Sequence, residues 1–271
     1  MRVAWLFFVS ALMASPPAAA DCEYRPEWRG RDTATYFADA TTCLETLKDG
    51  FWIDAAVEAD VFGRVNAVRR DAGLAPLRLR EELIPPARLH SFDMGQDLFF
   101  DHQGPDGRSV SDRVAAFDRS LIHSEVRENL AVIEGDFDWS DTGEVLHNIL
   151  FKSDGHRENM LSPTLTHMAM GVVRSERGAW ITQVFVREEG TFTAPLPTDL
   201  SQSAISLPPA LMHDWSFREV LIEQGGVEHQ LVALESRISG DADIVVVGTK
   251  PVDERSYQII KLPGPSITVT D

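Results

Sequence analysis

The sequence is poor in cysteine and in basic residues. Of its 271 residues 2 are cysteine, and 25 Lys and Arg stand against 42 Asp and Glu. The formal net charge is therefore −17, and no dense basic run is present to neutralise phosphate groups or an anionic bilayer. We expect neither a nucleic-acid-binding protein nor a protein that its charge attracts to membrane surfaces.

Long apolar runs are also scarce, and the mean hydropathy is −0.14. The one such run lies in MRVAWLFFVSALMASPPAAA, where the basic residue Arg2 precedes an apolar stretch and small residues precede Asp21. This pattern is typical of a secretory signal peptide over residues 1–20, and its apolar core is too short for a membrane anchor. We expect export to the periplasm or the extracellular space, with no transmembrane segment left after cleavage.

The two cysteines, Cys22 and Cys43, both remain after the expected cleavage. A lone cysteine pair in an oxidising compartment usually forms a disulfide. A redox-active pair would need close spacing such as C-x-x-C, which the sequence lacks. We therefore expect a structural disulfide that pins an N-terminal arm over residues 21–50.

The middle of the chain, residues 51–190, shows the patterns of helices and of one hairpin. Apolar residues recur at helical spacing in four stretches, and two β-forming runs flank the turn SERG. The predicted helices are 51–73, 85–100, 110–117 and 144–152, and the predicted hairpin strands are 168–174 and 179–186.

The composition changes after Gly190. Residues 191–213 are rich in Pro, Ser and Thr, which is typical of a linker that makes few contacts. Residues 214–271 hold several β-forming runs separated by Gly, Asp or Pro, which predicts a compact β-rich module.

Familiar catalytic signatures are absent: the sequence has no G-x-S-x-G, H-E-x-x-H, P-loop or G-x-G-x-x-G. Three candidates for chemistry remain, namely His102 in FFDHQGPDG, Glu128 in VRENLAV and His156 in KSDGHRENM. Two imidazoles and a carboxylate suit a divalent metal ion. Their spacing does not show that they meet, and each alone is equally typical of an ordinary capping or solvated residue.

Other polar residues have structural interpretations. His90 shares an apolar helical stripe with Met94, which indicates a buried histidine and not a ligand. Asn129 and Asn159 are expected to bond backbone groups in turns.

The strings ARLHSFDM, FFDHQGPDG, ENLAV, SDGHRENMLSPTLTHMAMGVV and AWITQVFV, in this order, resemble the bacterial branch of the CAP superfamily. This superfamily, also called the SCP domain, includes cysteine-rich secretory proteins, antigen 5 and plant pathogenesis-related proteins. The resemblance implies an α+β fold over residues 51–190, an α-β-α sandwich with a central antiparallel sheet. It also implies a surface cleft built around two histidines and acidic residues.

The residues that match the cleft of this family are His102, Glu128 and His156. The sequence departs from the family at Arg127, where a glycine is usual, and a second cleft glutamate has no clear counterpart. Glu144 could replace that glutamate, although its place at a helix start favours a role at the helix dipole. The implied metal ligands are therefore three.

Three functions follow from these observations. The first is an exported module whose cleft binds a divalent, zinc-like cation and a lipid, peptide or cell-envelope ligand. The second is a hydrolase in which His102 or His156 activates water, with Glu128 as orienting group or base. The third is an envelope adhesion protein that acts through the β-rich module. The sequence leaves the ligand and the oligomeric state open.

Overall fold

The structure is a computed structural model and describes residues 31–135, 139–201, 206–230 and 238–270. The predicted signal peptide and Cys22 lie outside these residues, so the leader and the disulfide stay predictions. Cys43 is buried on the first helix. Among the described residues no helix is long and apolar enough to cross a membrane.

Helices and strands are interspersed as far as Met160, and the described residues after it contain strands and no helix. The helices are α1 (Thr33–Glu45), α2 (Ala55–Asp71), α3 (Ile84–Asp97), α4 (Val110–Phe117), α5 (Thr142–Lys152) and α6 (Asp154–Met160). The strands are β1 (Phe51–Ile53), β2 (Arg78–Leu79), β3 (Leu121–Glu134), β4 (His167–Ser175), β5 (Gly178–Phe192), β6 (Asp199–Ser201), β7 (Ala210–Met212), β8 (Ser216–Gln224), β9 (Val227–Gln230), β10 (Gly240–Pro251) and β11 (Tyr257–Thr270).

The strands form two sheets. The first has the order β1-β4-β5-β3, with β2 added along β4 and β7 along β5. The second has the order β6-β11-β10-β8-β9. The pairs β2–β4 and β6–β11 are parallel, and the other pairs are antiparallel. The expected α+β fold, with a mainly antiparallel central sheet and a separate C-terminal sheet, is confirmed.

Helices cover both faces of the first sheet. On one face Val61 of α2, Leu146 of α5 and Met160 of α6 pack against Met170 and Phe185. On the other face α3 and α4 pack against the alternate residues of the same strands, such as Ala169 and Val184. Strands buried on both sides need apolar residues at successive positions, which is why MAMGVV in β4 shows no polar alternation.

Gly171 lets α3 approach β4 at backbone contact. A Cβ atom there would lie 2.1 Å from the backbone nitrogen of Arg88 and 2.4 Å from the carbonyl carbon of Ala87. Only glycine fits such a crossing. The crossing positions α3, whose C-terminal end leads into the loop that holds His102.

Three local predictions were wrong. The helix expected from Phe51 starts at Ala55, because Asp54 accepts a hydrogen bond from the Val57 amide and caps α2 after strand β1. The expected stop near Asp154 is instead the start of α6, separated from α5 only by extended Ser153. No strand was predicted for β3, because the polar run SEVREN interrupts its apolar pattern.

Residues 191–213 contact both sheets, so the prediction that they make few contacts is wrong. Within this stretch β6 pairs with β11 of the second sheet, whereas β7 pairs with β5 of the first. Leu196 and Leu200 are buried in the core of the second sheet together with Ile122 of β3. The domain boundaries themselves stay predictions.

A Pro-rich stretch can still make ordered contacts for a simple chemical reason. Proline lacks the backbone N–H but keeps its carbonyl oxygen. The buried Arg119 uses such carbonyls, because its guanidinium donates to the oxygens of Leu196 at 3.1 Å and Pro197 at 2.7 Å. A Pro-rich composition therefore did not exclude an ordered stretch.

Candidate functional site

His102, Glu128 and His156 lie near one another along β3, an edge strand of the first sheet. They are on a loop, a strand and a helix, respectively. His102 follows α3, Glu128 lies within β3, and His156 lies in α6. The Nδ1 atom of His102 is 2.9 Å from Oε1 of Glu128. The side-chain amide of Asn129, the next residue in β3, donates to the carbonyl oxygen of His156 at 3.1 Å. Their chemical roles stay predictions.

Glu128 is buried, and both of its carboxylate oxygens have partners. Oε1 faces His102, and Oε2 accepts from Nη2 of Arg113 at 2.6 Å. Burial acts to raise the pKa of Glu128, but the hydrogen bond from His102 and the charge of Arg113 outweigh it and lower that pKa. The carboxylate is therefore ionised at neutral pH and fully engaged.

Arg113 is a site residue that sequence reasoning missed. It lies on α4, is buried, and donates to the carbonyl oxygens of His102 at 3.2 Å and Arg108 at 2.9 Å. One guanidinium thus holds both Glu128 and the loop that contains His102. An arginine in an amphipathic helix usually faces solvent, so nothing local in the sequence marks this one.

His102 is the accessible member of the site, with 59% of its side chain exposed. Its hydrogen bond to Glu128 raises its pKa, against the opposing effect of partial burial. Because a carboxylate only accepts, the hydrogen lies on Nδ1 of His102. Nε2 has no hydrogen-bond partner among the described residues and presents its lone pair outward when the ring is neutral.

His156 is half-buried on α6, and its Nδ1 atom is buried without a hydrogen-bond partner in the described part of the chain. Burial lowers the pKa of His156, and the nearby charge of His102 lowers it further. The ring is therefore neutral at pH 7, which is the form that binds metal ions. The two imidazoles are close enough for His156 to respond to the charge of His102.

His90 contacts the loop that contains His102. It is fully buried, as expected, and its Nε2 atom lies 2.9 Å from the carbonyl oxygen of Asp101, the residue before His102. Burial, together with the charge of Arg113, lowers the pKa of His90 to about 4. His90 is thus a neutral structural residue that holds the loop.

Two asparagines join α6 to β3. The Asn159 amide donates to the carbonyl oxygen of Glu128 at 3.3 Å and to Oδ1 of Asn129 at 2.8 Å. Asn129 donates in turn to Oε1 of Gln183 at 3.0 Å. The two asparagines bond backbone groups as expected, but across two elements and not in turns, because their partners come from distant segments.

Two departures from the family pattern have clear places in the structure. Glu144 does not join the cleft histidines; it is 54% exposed on α5 and pairs with Arg64 of α2 at 3.2 Å. The suggestion that it replaces a second cleft glutamate was therefore wrong. Arg127 donates from Nη1 to Oδ1 of Asn159 at 3.3 Å, which places a positive charge beside α6.

The side chains present fit a metal site of two imidazoles better than one of three ligands. No group of three His, Cys, Asp or Glu side chains has a metal-binding arrangement within residues 31–135, 139–201, 206–230 and 238–270. Glu128 has both oxygens engaged, one of them by a guanidinium that would repel a cation. His102 and His156 retain nitrogen atoms without partners.

Comparison with known proteins gives matches over about half of the chain. Residues 62–185 match the model of the family described as "CAP: Cysteine-rich secretory protein family". "Uncharacterized protein YkwD" of Bacillus subtilis (strain 168) is 36% identical over 132 residues, 49% of this chain and 48% of that protein. "Uncharacterized membrane protein YlbC" of the same organism is 26% identical over 145 residues, 53% of this chain and 38% of that protein. The chain thus spans less than half the length of these relatives.

Solved structures match a similar share of the chain. An extracellular protein containing a SCP domain from Bacillus anthracis str. Ames has 24% identity and a TM-score of 0.42, covering 50% of this chain and 41% of that one. An outer surface protein from Borrelia burgdorferi has 16% identity and a TM-score of 0.43, covering 49% of this chain and 93% of that one.

Proposed function

We propose that residues 62–185, which match the model of the CAP family of cysteine-rich secretory proteins, form a domain of that family and that the chain is an exported binding module. Its cleft binds a divalent, zinc-like cation through His102 and His156. The proposal rests on the two imidazoles with unpartnered nitrogen atoms beside one buried, ionised carboxylate. The signal-like N-terminus supports export.

The hydrogen-bonding and protonation states of His102 and His156 support their role as two metal ligands. His102 presents Nε2 because Glu128 takes its Nδ1 hydrogen, and a carboxylate behind a ligating histidine both orients the ring and increases its basicity. Arg113 keeps Glu128 ionised and in place. His156 is neutral and ready to bind. We therefore assign Glu128 to orienting His102 and not to direct ligation.

A bound zinc-like ion would supply a positive centre with open coordination positions. Those positions suit an anionic or carbonyl group of a lipid, peptide or cell-envelope molecule.

A hydrolase is the second candidate, and the bond between His102 and Glu128 is the observation that favours it. An imidazole oriented by a carboxylate is a suitable general base, able to take a proton from water at Nε2. In this alternative no protein nucleophile is required. Both candidates depend on the same two histidines, so one set of variants tests them together.

Isothermal titration of zinc chloride into the full chain tests the proposal. We expect His102→Ala and His156→Ala each to weaken zinc binding by more than about 100-fold, since losing even an orienting neighbour of a ligand costs about 10- to 100-fold. His229→Ala, in the second sheet, is the matched control and should leave the affinity unchanged.

Unchanged zinc affinity in both cleft variants would overturn the proposal. A screen of ester and peptide substrates with the same proteins separates the two candidates. A hydrolase loses turnover in the cleft variants, whereas a binding module has no turnover in any of them.

A further inference from the structure

A second candidate site lies between α4 and the second sheet, in what we call the acidic groove. It consists of two adjoining cavities of about 370 Å³ and 330 Å³. Both cavities are lined by Asp112 of α4, Glu223 of β8, Asp243 of β10 and Ser266 of β11. None of the cleft residues His102, Glu128 and His156 lines either cavity, so the groove is a separate place on the molecule.

Three carboxylates form a row across neighbouring strands of the groove. Glu228 of β9 lies directly opposite Glu223, and Glu223 lies directly opposite Asp243. Directly opposite residues project from the same face of a sheet, and like charges in such pairs are destabilising. The row covers two interstrand spacings, a length of about 10 Å.

The positive charge beside this row is small. Lys261 pairs with Glu228 at 2.6 Å. Asp243 accepts a hydroxyl hydrogen bond from Ser266 at 2.6 Å. In the part of the chain that the structure describes, Glu223 has neither an ion pair nor a hydrogen bond. Two carboxylates of the row therefore have no cationic partner among the described residues.

The arginines of the smaller cavity do not neutralise the row. Arg108 pairs with Asp106 at 2.7 Å, and Arg31 pairs with Asp39. Asp112 adds a further negative charge from the side of α4, where it accepts from the amide and hydroxyl of Ser109. The groove therefore keeps a negative excess on both of its walls.

His123 points independently to a ligand in the larger cavity. It lies on β3, is only 6% exposed, and lines this cavity. Its Nδ1 atom is buried without a partner among the described residues, and Nε2 has no hydrogen bond there either. Burial lowers the pKa of His123 to about 4, so the ring is neutral at pH 7. A neutral imidazole offers one acceptor nitrogen to an N–H donor.

Part of the lining of the larger cavity is apolar. Ala115, Val245 and Pro263 lie beside the carboxylate row. Methylene groups of a long cation pack on such a surface while its charged head reaches the carboxylates. A compact hydrated metal ion would make no use of it.

We propose that the acidic groove binds a flexible organic cation, an alkylammonium or guanidinium group attached to a methylene chain. A polyamine and a lysine or arginine side chain of a peptide both have this chemistry. The row of Glu228, Glu223 and Asp243 binds the charge, and the apolar surface beside it packs against the chain. This site is independent of the cleft and of any metal there.

Calorimetric titration of the full chain at low ionic strength, with spermidine and separately with a capped lysine-rich tripeptide, tests the proposal. Binding of either probe supports it, and the tighter of the two identifies the source of the cation. Glu223→Gln and Asp243→Asn should each weaken binding about fivefold, the upper range for one partly exposed ion pair. Glu254→Gln removes the same charge from an exposed turn and should leave the affinity unchanged.

The ring resonances of His123 locate the bound probe. Saturating spermidine or tripeptide should shift them, and His102→Ala should bind either probe as tightly as the unaltered chain. The proposal is overturned by the absence of binding, by equal weakening in Glu254→Gln, or by binding that leaves His123 unshifted. The proposal is also overturned if calcium ions bind at Glu223 and neither spermidine nor the tripeptide binds.

Discussion

A buried carboxylate at Glu128 holds two neighbours at once, His102 through Oε1 and Arg113 through Oε2. Burial of a charge is costly unless it is paired and hydrogen-bonded, and here both oxygens have partners. The arrangement keeps the carboxylate ionised and the imidazole in a single tautomer. At this scale the cleft is one hydrogen-bonded unit, and a change in any member alters the others.

Glu128→Gln is expected to lower the pKa of His102 toward its usual value, because the neutral amide no longer favours the charged ring. The pKa of His102 is raised in the intact chain, so zinc binding is lost as pH falls through that raised pKa. In the variant this loss moves to lower pH. The zinc affinity at neutral pH falls about 10- to 100-fold, because the ring loses its orienting partner.

Titration of the His102 ring by NMR, together with calorimetry, measures both effects. Glu125→Gln, on the same strand, is the matched control and should change neither quantity strongly. A His102 pKa that stays raised in Glu128→Gln would contradict the assigned role. A thermal melt of the variant reports the cost of leaving Arg113 without its carboxylate.

At the scale of elements, Arg119 connects segments of the chain that the change in composition after Gly190 had assigned to separate regions. Its guanidinium is buried and donates to the carbonyl oxygens of Ala115 in α4, of Leu196 and Pro197 in the 191–213 stretch, and of Ser266 in β11. Burial lowers the pKa of Arg119 to about 10, so it stays charged at neutral pH. One buried, hydrogen-bonded cation therefore links α4, the 191–213 stretch and β11.

Truncation after residue 195 is expected to abolish cooperative unfolding of the remaining domain. It would remove the carbonyl oxygens of Leu196, Pro197 and Ser266 from Arg119 and expose Ile122 and Phe192. The loss of these contacts is large against a total stability of about 5–15 kcal/mol for a typical protein. Scanning calorimetry of the truncated and full chains is the measurement.

The truncation removes both the hydrogen bonds of Arg119 and the strands of the second sheet. Arg119→Met in the full chain removes the hydrogen bonds alone, so it measures their contribution to stability. It should lower the stability of the full chain, whereas Arg218→Met, at an exposed position, should not. A truncated chain that melts cooperatively near the temperature of the full chain would show instead that the first sheet forms an independent unit.

At the scale of the whole molecule, the sequence predicts those helices and strands whose apolar residues recur at a regular spacing. The apolar spacing of α3 and α4 and the β-forming runs of β4 and β5 are regular, and the structure has these elements at the expected places. Strand β3 was missed because its polar residues serve the cleft and break the alternation of the strand. Short elements such as α6 leave too few residues for a period to show.

The site was predictable only in part, for a different reason. His102, Glu128 and His156 were found by resemblance to a family, since spacings of this length do not report contact. Arg113, Asn129 and Asn159 have no local pattern at all. Their partners lie in other elements, and only the packing of α4 and α6 against β3 brings them together.

The most direct test of the account is the nitrogen NMR spectrum of the imidazole rings in the full chain, recorded at a pH above the raised pKa of His102, where this ring is neutral. We predict that His102 has its hydrogen on Nδ1 and that zinc shifts Nε2 of His102 and one ring nitrogen of His156. The rings of His90 and His229 should not respond to zinc. A hydrogen on Nε2 of His102, or zinc that leaves both cleft rings unshifted, would contradict the account.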